Sequence, residues 1–206
     1  MAALDPKERM QAAIAHRKWI DIAHDLGCTD IRCNMRGGLT DWKQDGDLVK
    51  RAVESFRNLV EYSRGSGLNV IVENHGRASS DPGNLAALVK GVEDTRFGLL
   101  PDFGNINPGD DNAKVIRGIA PWAKGVSVKA AWDEQGKNPW DIDLMMQICQ
   151  DAGYHGWWGI ESSCGPTAMM KKSDPGVGNQ QIWDWDLKGV RLTSERIKRH
   201  FHGQIA

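Results

Sequence analysis

Glu73 closes an apolar run that includes Val70, Ile71 and Val72, and Glu161 stands the same way after Trp157-Trp158-Gly159-Ile160. Asp102 follows Phe97-Gly98-Leu99-Leu100-Pro101 and precedes Phe103-Gly104-Asn105. A carboxylate at the end of a buried segment is costly unless it is paired, protonated or bound to a metal. Each acid alone has a plainer account: a side chain emerging into solvent or, for Glu73, an ion pair with Arg36. Together, three carboxylates at one mouth would repel one another unless a cation or a proton relieved them. An oxygen-rich set suits Mg²⁺ or Mn²⁺, and an added imidazole widens the choice to Co²⁺ or Zn²⁺.

His75, two residues past Glu73, shares its face if the strand continues, as a ligand or as a hydrogen-bonded loop residue. Lys129 closes Val126-Ser127-Val128; it either meets a substrate oxyanion or phosphate or reaches out to solvent, and Arg36 admits the same two readings. Asp102-Phe103-Gly104 matches the kinase metal tripeptide only by accident, since neither H-R-D nor a glycine-rich phosphate loop accompanies it. The other histidines, His16, His24, His155, His200 and His202, read as surface residues on helices or at their ends. Cys28, Cys33, Cys149 and Cys164 form no C-x-x-C or Cys/His cluster and are expected as reduced, partly buried thiols. Trp42, Trp132, Trp140, Trp183 and Trp185 fall where loops are expected, lining a pocket or packing beneath the loops.

Elements of alternating period must carry these residues. Asp5 with Pro6 opens a helix whose apolar face is Trp19, Ile22, Ala23 and Leu26, stopped by Gly27. Strands are expected over residues 29–35, 68–73, 97–102, 125–130 and 157–162. Helices are expected over residues 47–64, from Pro82 onward, and over 112–122, 142–152 and 187–201. A buried strand followed by a crossover helix, repeated about every 30 residues, is the pattern of a parallel sheet with helices outside it. Residues 163–181 form the one long irregular stretch, of the kind that is often functional.

No glycine-rich dinucleotide fingerprint or phosphate loop follows the first strand. Polar residues instead close successive strands: Arg36, Glu73 with His75, Asp102 with Asn105, Lys129, and Glu161. That is where barrel sites sit, because the loops after all the strands converge on one mouth. The expected fold class is α/β, a partial (β/α)8 TIM-barrel type of about five strand–helix units in one domain spanning 1–206.

Composition narrows the function classes. Lys+Arg total 26 against Asp+Glu 27, a formal net charge of -1, which offers no basic surface for nucleic acid. The apolar runs are far shorter than the roughly 20 residues of a membrane span, so no membrane partner is expected. Residues 1–10 are charged and lack the apolar core of a signal peptide, so the expected compartment is cytoplasmic.

The ordered set Val72-Glu73-Asn74-His75-Gly76, Ser79-Ser80-Asp81-Pro82, Leu100-Pro101-Asp102-Phe103-Gly104-Asn105, Lys124-Gly125-Val126-Ser127-Val128-Lys129 and Gly159-Ile160-Glu161 resembles the sugar-phosphate isomerase/epimerase family, with its xylose-isomerase-like TIM barrel. The resemblance runs from about Asp5 to Glu161, and more loosely from Asp186 to Phe201. It implies a divalent metal, Mn²⁺ or Mg²⁺ first, held at strand ends by Glu73, Asp102 and Glu161, with His75 as a further candidate ligand. It implies that Glu73 and Glu161 also move the proton, with Lys129 assisting, and that Arg36, His75, Asn105 and Lys129 contact substrate. Where the family most often has a metal-binding histidine, two residues before the lysine, this sequence has Ser127. The metal there would take a water, recruit His75 or bind weakly.

The family's first three strands have no counterpart, so the barrel is expected to be N-terminally truncated, with two open edges completed by a partner or a homo-oligomer. The implied activity is that of a metal-dependent isomerase or epimerase of carbohydrate metabolism. It acts on a small sugar or sugar derivative by glutamate-mediated proton transfer through an enediolate. The alternatives are an endonuclease IV-like phosphodiester hydrolase and an inactive sugar-binding barrel remnant.

Overall fold

The computed structural model describes residues 1–165 and 179–202. Four of its helices begin on an aspartate whose carboxylate accepts the backbone N–H two or three residues on. Asp5 caps α1 (Pro6–Asp25), Asp81 caps α3 (Pro82–Val92), Asp111 caps α4 (Asn112–Ile119) and Asp141 caps α5 (Ile142–Asp151). Pro6 and Pro82 take the first helical position, where a missing N–H costs nothing. Gly27, at φ 72°, turns the chain out of α1, and Pro121 lies in the 3₁₀ turn Ala120–Trp122 that follows α4. The remaining helices are α2 (Leu48–Ser63) and α6 (Asn179–His202).

The strands are β1 (Asp30–Cys33), β2 (Asn69–Glu73), β3 (Phe97–Leu100), β4 (Val126–Trp132) and β5 (Trp158–Cys164). They lie in chain order and all pair in parallel: β1-β2-β3 form one ladder and β4-β5 another. Parallel bridges Leu99↔Ala123 and Asp102↔Ser127 join the two. Among the described residues no ladder joins β5 to β1, so the sheet curves as an incomplete TIM barrel with edges at β1 and β5.

Alternation along each strand decides what reaches the inner side. Cys33, Val70, Val72, Phe97, Leu99, Val126, Val128 and Ala130 pack outward into one apolar core shared with the helices. Their neighbours Arg32, Glu73, Ser127, Lys129 and Glu161 therefore point inward. The core takes Phe56, Leu59 and Val60 from α2, Leu85 and Leu88 from α3, Ile116 and Ile119 from α4, and Met145 and Met146 from α5. Burial pushes the Cys33 and Cys149 thiols up to about 12. Cys164 is buried too, Cys28 is exposed, and no disulfide joins them.

The structure corrects three sequence expectations. The expected apolar face of α1 is largely solvent-exposed: Trp19 is 53% exposed, Ile22 43% and Leu26 75%, while Ala13 and Ile20 are buried. The reason is position, since α1 lies beside the edge strand and packs chiefly on α2 and β1. The last helix begins at Asn179 rather than at 187, so Trp183 and Trp185 are helical, and Trp132 belongs to β4. Of the expected loop over 163–181, Ser163 and Cys164 belong to β5, Asn179 onward belongs to α6, and 166–178 lie outside the described residues. No described helix is long and apolar enough to cross a membrane.

Candidate metal and active site

Glu73, the last residue of β2, is buried, and both its oxygens are engaged. Oε2 pairs with the guanidinium of Arg32 on β1, and Oε1 accepts from Asn105 Nδ2 at 2.7 Å. Parallel register makes the first pairing possible, since Arg32 lies opposite Ile71, two residues before Glu73 and on the same side. Arg36, offered by the sequence as one plainer account of Glu73, is not its partner. The alternation Ile31-Arg32-Cys33 was the signal for Arg32, a basic residue between two outward-facing apolar ones. Arg36 instead meets His75, with Nη2 3.4 Å from Nδ1.

Asp102 is fully buried just past β3. Its Oδ1 accepts from the backbone N–H groups of Gly104 (2.9 Å) and Asn105 (2.8 Å), and its Oδ2 accepts from Ser127 Oγ at 2.7 Å. Asn74, also fully buried, clamps the same peptide from both directions: Asp102 N donates to Oδ1 at 2.7 Å, and Nδ2 donates to Asp102 O at 2.8 Å. Asn74 stood in the sequence beside Glu73 without a role, and only the cross-strand contact gives it one. Burial raises the Asp102 carboxyl to about 6, against the pull of Lys129 and the hydrogen bonds from Ser127 and Gly104.

Glu161 lies in register with Lys129, whose ammonium pairs with Oε1; Ser127 Oγ lies 3.5 Å from Oε2. Ser127 thus sits between two carboxylates and donates to one of them. Glu73, Asp102 and Glu161 each offer an oxygen, and these atoms all lie within 4.8 Å of one another. They form a group on the inner side at the C-terminal end of the sheet, where barrel chemistry is assembled. Three carboxylates offer only hard oxygen donors, so the set fits a divalent cation of the Mg²⁺ or Mn²⁺ type and leaves positions for water or substrate oxygens. Arg32 and Lys129 already neutralise part of the charge such an ion would meet.

Of the residues read from sequence, Glu73, Asp102, Glu161, Lys129 and Asn105 come together. His75 and Arg36 lie in the adjoining loops, and His75 is outside the group that could ligate one ion.

A family model described as a xylose isomerase-like TIM barrel matches residues 1–188. No curated protein matches the chain. Among solved structures, a D-tagatose 3-epimerase-like protein is 15% identical with a TM-score of 0.73, covering 100% of this chain and 75% of that one. A xylose isomerase-like TIM barrel protein from Mycobacterium smegmatis in complex with magnesium is 17% identical with a TM-score of 0.63, covering 93% and 70%. An AP endonuclease, family 2, from Brucella melitensis is 20% identical with a TM-score of 0.57, covering 78% and 65%. The chain spans from 62% to 75% of the length of such solved chains. At these identities the likeness is one of fold.

Proposed function

Because the chain belongs to the xylose isomerase-like TIM barrel family, we propose that it is a metal-dependent isomerase or epimerase acting on a small sugar or sugar derivative. The convergence of Glu73, Asp102 and Glu161 within 4.8 Å carries this reading. Glu73, Asp102 and Glu161 would hold a divalent ion, Mn²⁺ or Mg²⁺ by the hardness of the donors, which would supply Lewis acidity toward a carbonyl and its neighbouring hydroxyl. Either Glu73 or Glu161 takes the proton from the carbon beside that carbonyl, and the electron pair moves to the oxygen to give an enediolate. For epimerisation the other glutamate, protonated at the start, gives its proton to the opposite face as the carbonyl re-forms; for isomerisation the hydroxyl proton passes to the former carbonyl oxygen and the abstracted proton is returned to the neighbouring carbon. Lys129 places a positive charge at Glu161 and toward the oxygen where charge develops. Arg32 and Asn105 fix both oxygens of Glu73, which orients its remaining lone pairs.

The epimerase-like neighbour favours this chemistry, and the neighbouring AP endonuclease keeps a phosphodiester hydrolase as the second reading. That reading wants a metal cluster and a basic surface; the described residues offer one ligand group, and the net charge is -1. The expected setting is the cytoplasm, with a small carbohydrate as partner and the open edges covered by a second copy or another barrel-completing chain.

Metal analysis with turnover assays on ketoses and aldoses tests the proposal. One divalent ion per chain is expected, and Glu73→Gln should lower turnover by about 10²–10⁴-fold while sparing the fold. Activity that survives Glu73→Gln would overturn the assignment.

A further inference from the structure

At the C-terminal end of the sheet lies a cavity of about 360 Å³ that the proton chemistry does not use. The loops after β1 and β2 enclose it, and its wall includes Arg36, Trp42, His75 and Arg77 but no acidic side chain. His75 of its wall is two residues from Glu73, so the cavity opens at the same end of the sheet as the acid group.

Arg36 Nη2 lies 3.4 Å from His75 Nδ1, so the two side chains present their polar edges to the cavity together. Arg36 makes no ion pair among the described residues, unlike Arg32, Arg51 and Arg96. Arg77 has a left-handed backbone at φ 56°, which a side chain other than glycine's adopts only under constraint. The constraint is visible: Arg77 N donates to Asn107 Oδ1 at 2.6 Å, and Asn107 Nδ2 donates to Arg77 O at 3.0 Å. The Arg77 guanidinium reaches across to the carbonyls of Leu39 and Thr40, tying the two loops into one wall. Backbone strain held by a dedicated partner at a cavity is a mark of a built site.

We propose that this cavity binds the anionic end group of the substrate, a phosphate or a carboxylate, with Arg36 as its ion-pairing residue and the His75 ring beside it. A planar guanidinium meets either oxyanion through two parallel hydrogen bonds, so the two groups share one recognition chemistry. The proposal rests on the acid group being where the sugar reacts, and it narrows the substrate to a sugar phosphate or a sugar acid.

Calorimetric titration of the intact chain with D-fructose 6-phosphate, D-gluconate and D-fructose tests it. One of the two anions is expected to bind about tenfold or more tighter than fructose, and which one does so distinguishes phosphate from carboxylate. Arg36→Gln should bring that anion down to the level of fructose without changing fructose itself, and Arg36→Lys should retain part of the preference. Equal affinities for all three, no binding by any, or a preference that survives Arg36→Gln would overturn the proposal. An Arg36-dependent preference in a protein that turns over no sugar would sink the isomerase reading and leave the anion site standing.

Discussion

At the scale of single residues, the site is built from inward-facing charges that partly cancel. Arg32 and Lys129 each hold one glutamate, so the carboxylate that lacks a cationic partner is Asp102, deepest in the protein. Its carboxyl lies near 6 instead of its ordinary 3.8, so the fold favours the neutral form. A group raised in this way adds stability below its unfolded value, and that stability is lost as pH rises through the folded one. In chelator-treated protein, Asp102→Asn should therefore raise the melting temperature at about pH 8 and change it little near pH 4. A variant less stable than the parent at pH 8 would refute this. Glu73, Asp102 and Glu161 were legible in the sequence because each ends or interrupts an apolar run, which is a local signal. Arg32 and Asn74 were not, because their partners lie on neighbouring strands and only register reveals them.

At the scale of elements, the parallel strands and crossover helices follow from local rules. Aspartate caps and apolar periodicity fix where α3, α4 and α5 begin and which faces they bury. The same reasoning misjudged α1, because periodicity tells which residues share a face and not whether a neighbour covers it. The end of the sheet depends on α6. Thr193 of that helix is fully buried, accepts from Trp132 Nε1 of β4 at 2.8 Å and meets Ser162 Oγ of β5 at 2.8 Å. One hydroxyl thus latches α6 to the two strands that carry Ser127, Lys129 and Glu161. Thr193→Val, nearly isosteric, strands a buried indole N–H and should cost about 1–3 kcal/mol in urea unfolding. A loss within experimental error would show that the latch contributes nothing.

At the scale of the whole molecule, the sheet has edges at β1 and β5 among the described residues, with exposed apolar side chains close to them. Trp157, just before β5, is 88% exposed, and α1 beside β1 exposes Met10, Ile14 and Trp19. Open strand edges with uncovered apolar surface favour pairing with another chain. Sedimentation velocity between about 1 and about 100 μM should show association that rises with concentration, and Trp157→Lys should weaken it. A single monomeric species throughout would contradict this.

The claim that most needs testing is that Glu73 and Glu161 move a proton on and off a sugar carbon. Incubating the metal-loaded protein in heavy water with a panel of ketoses, their phosphates and sugar acids, and reading deuterium at the carbon beside the carbonyl by NMR, addresses it directly. Enzyme-dependent incorporation into at least one of them is expected, abolished by Glu73→Gln and by Glu161→Gln. No incorporation across the panel, or incorporation that survives both substitutions, would contradict it.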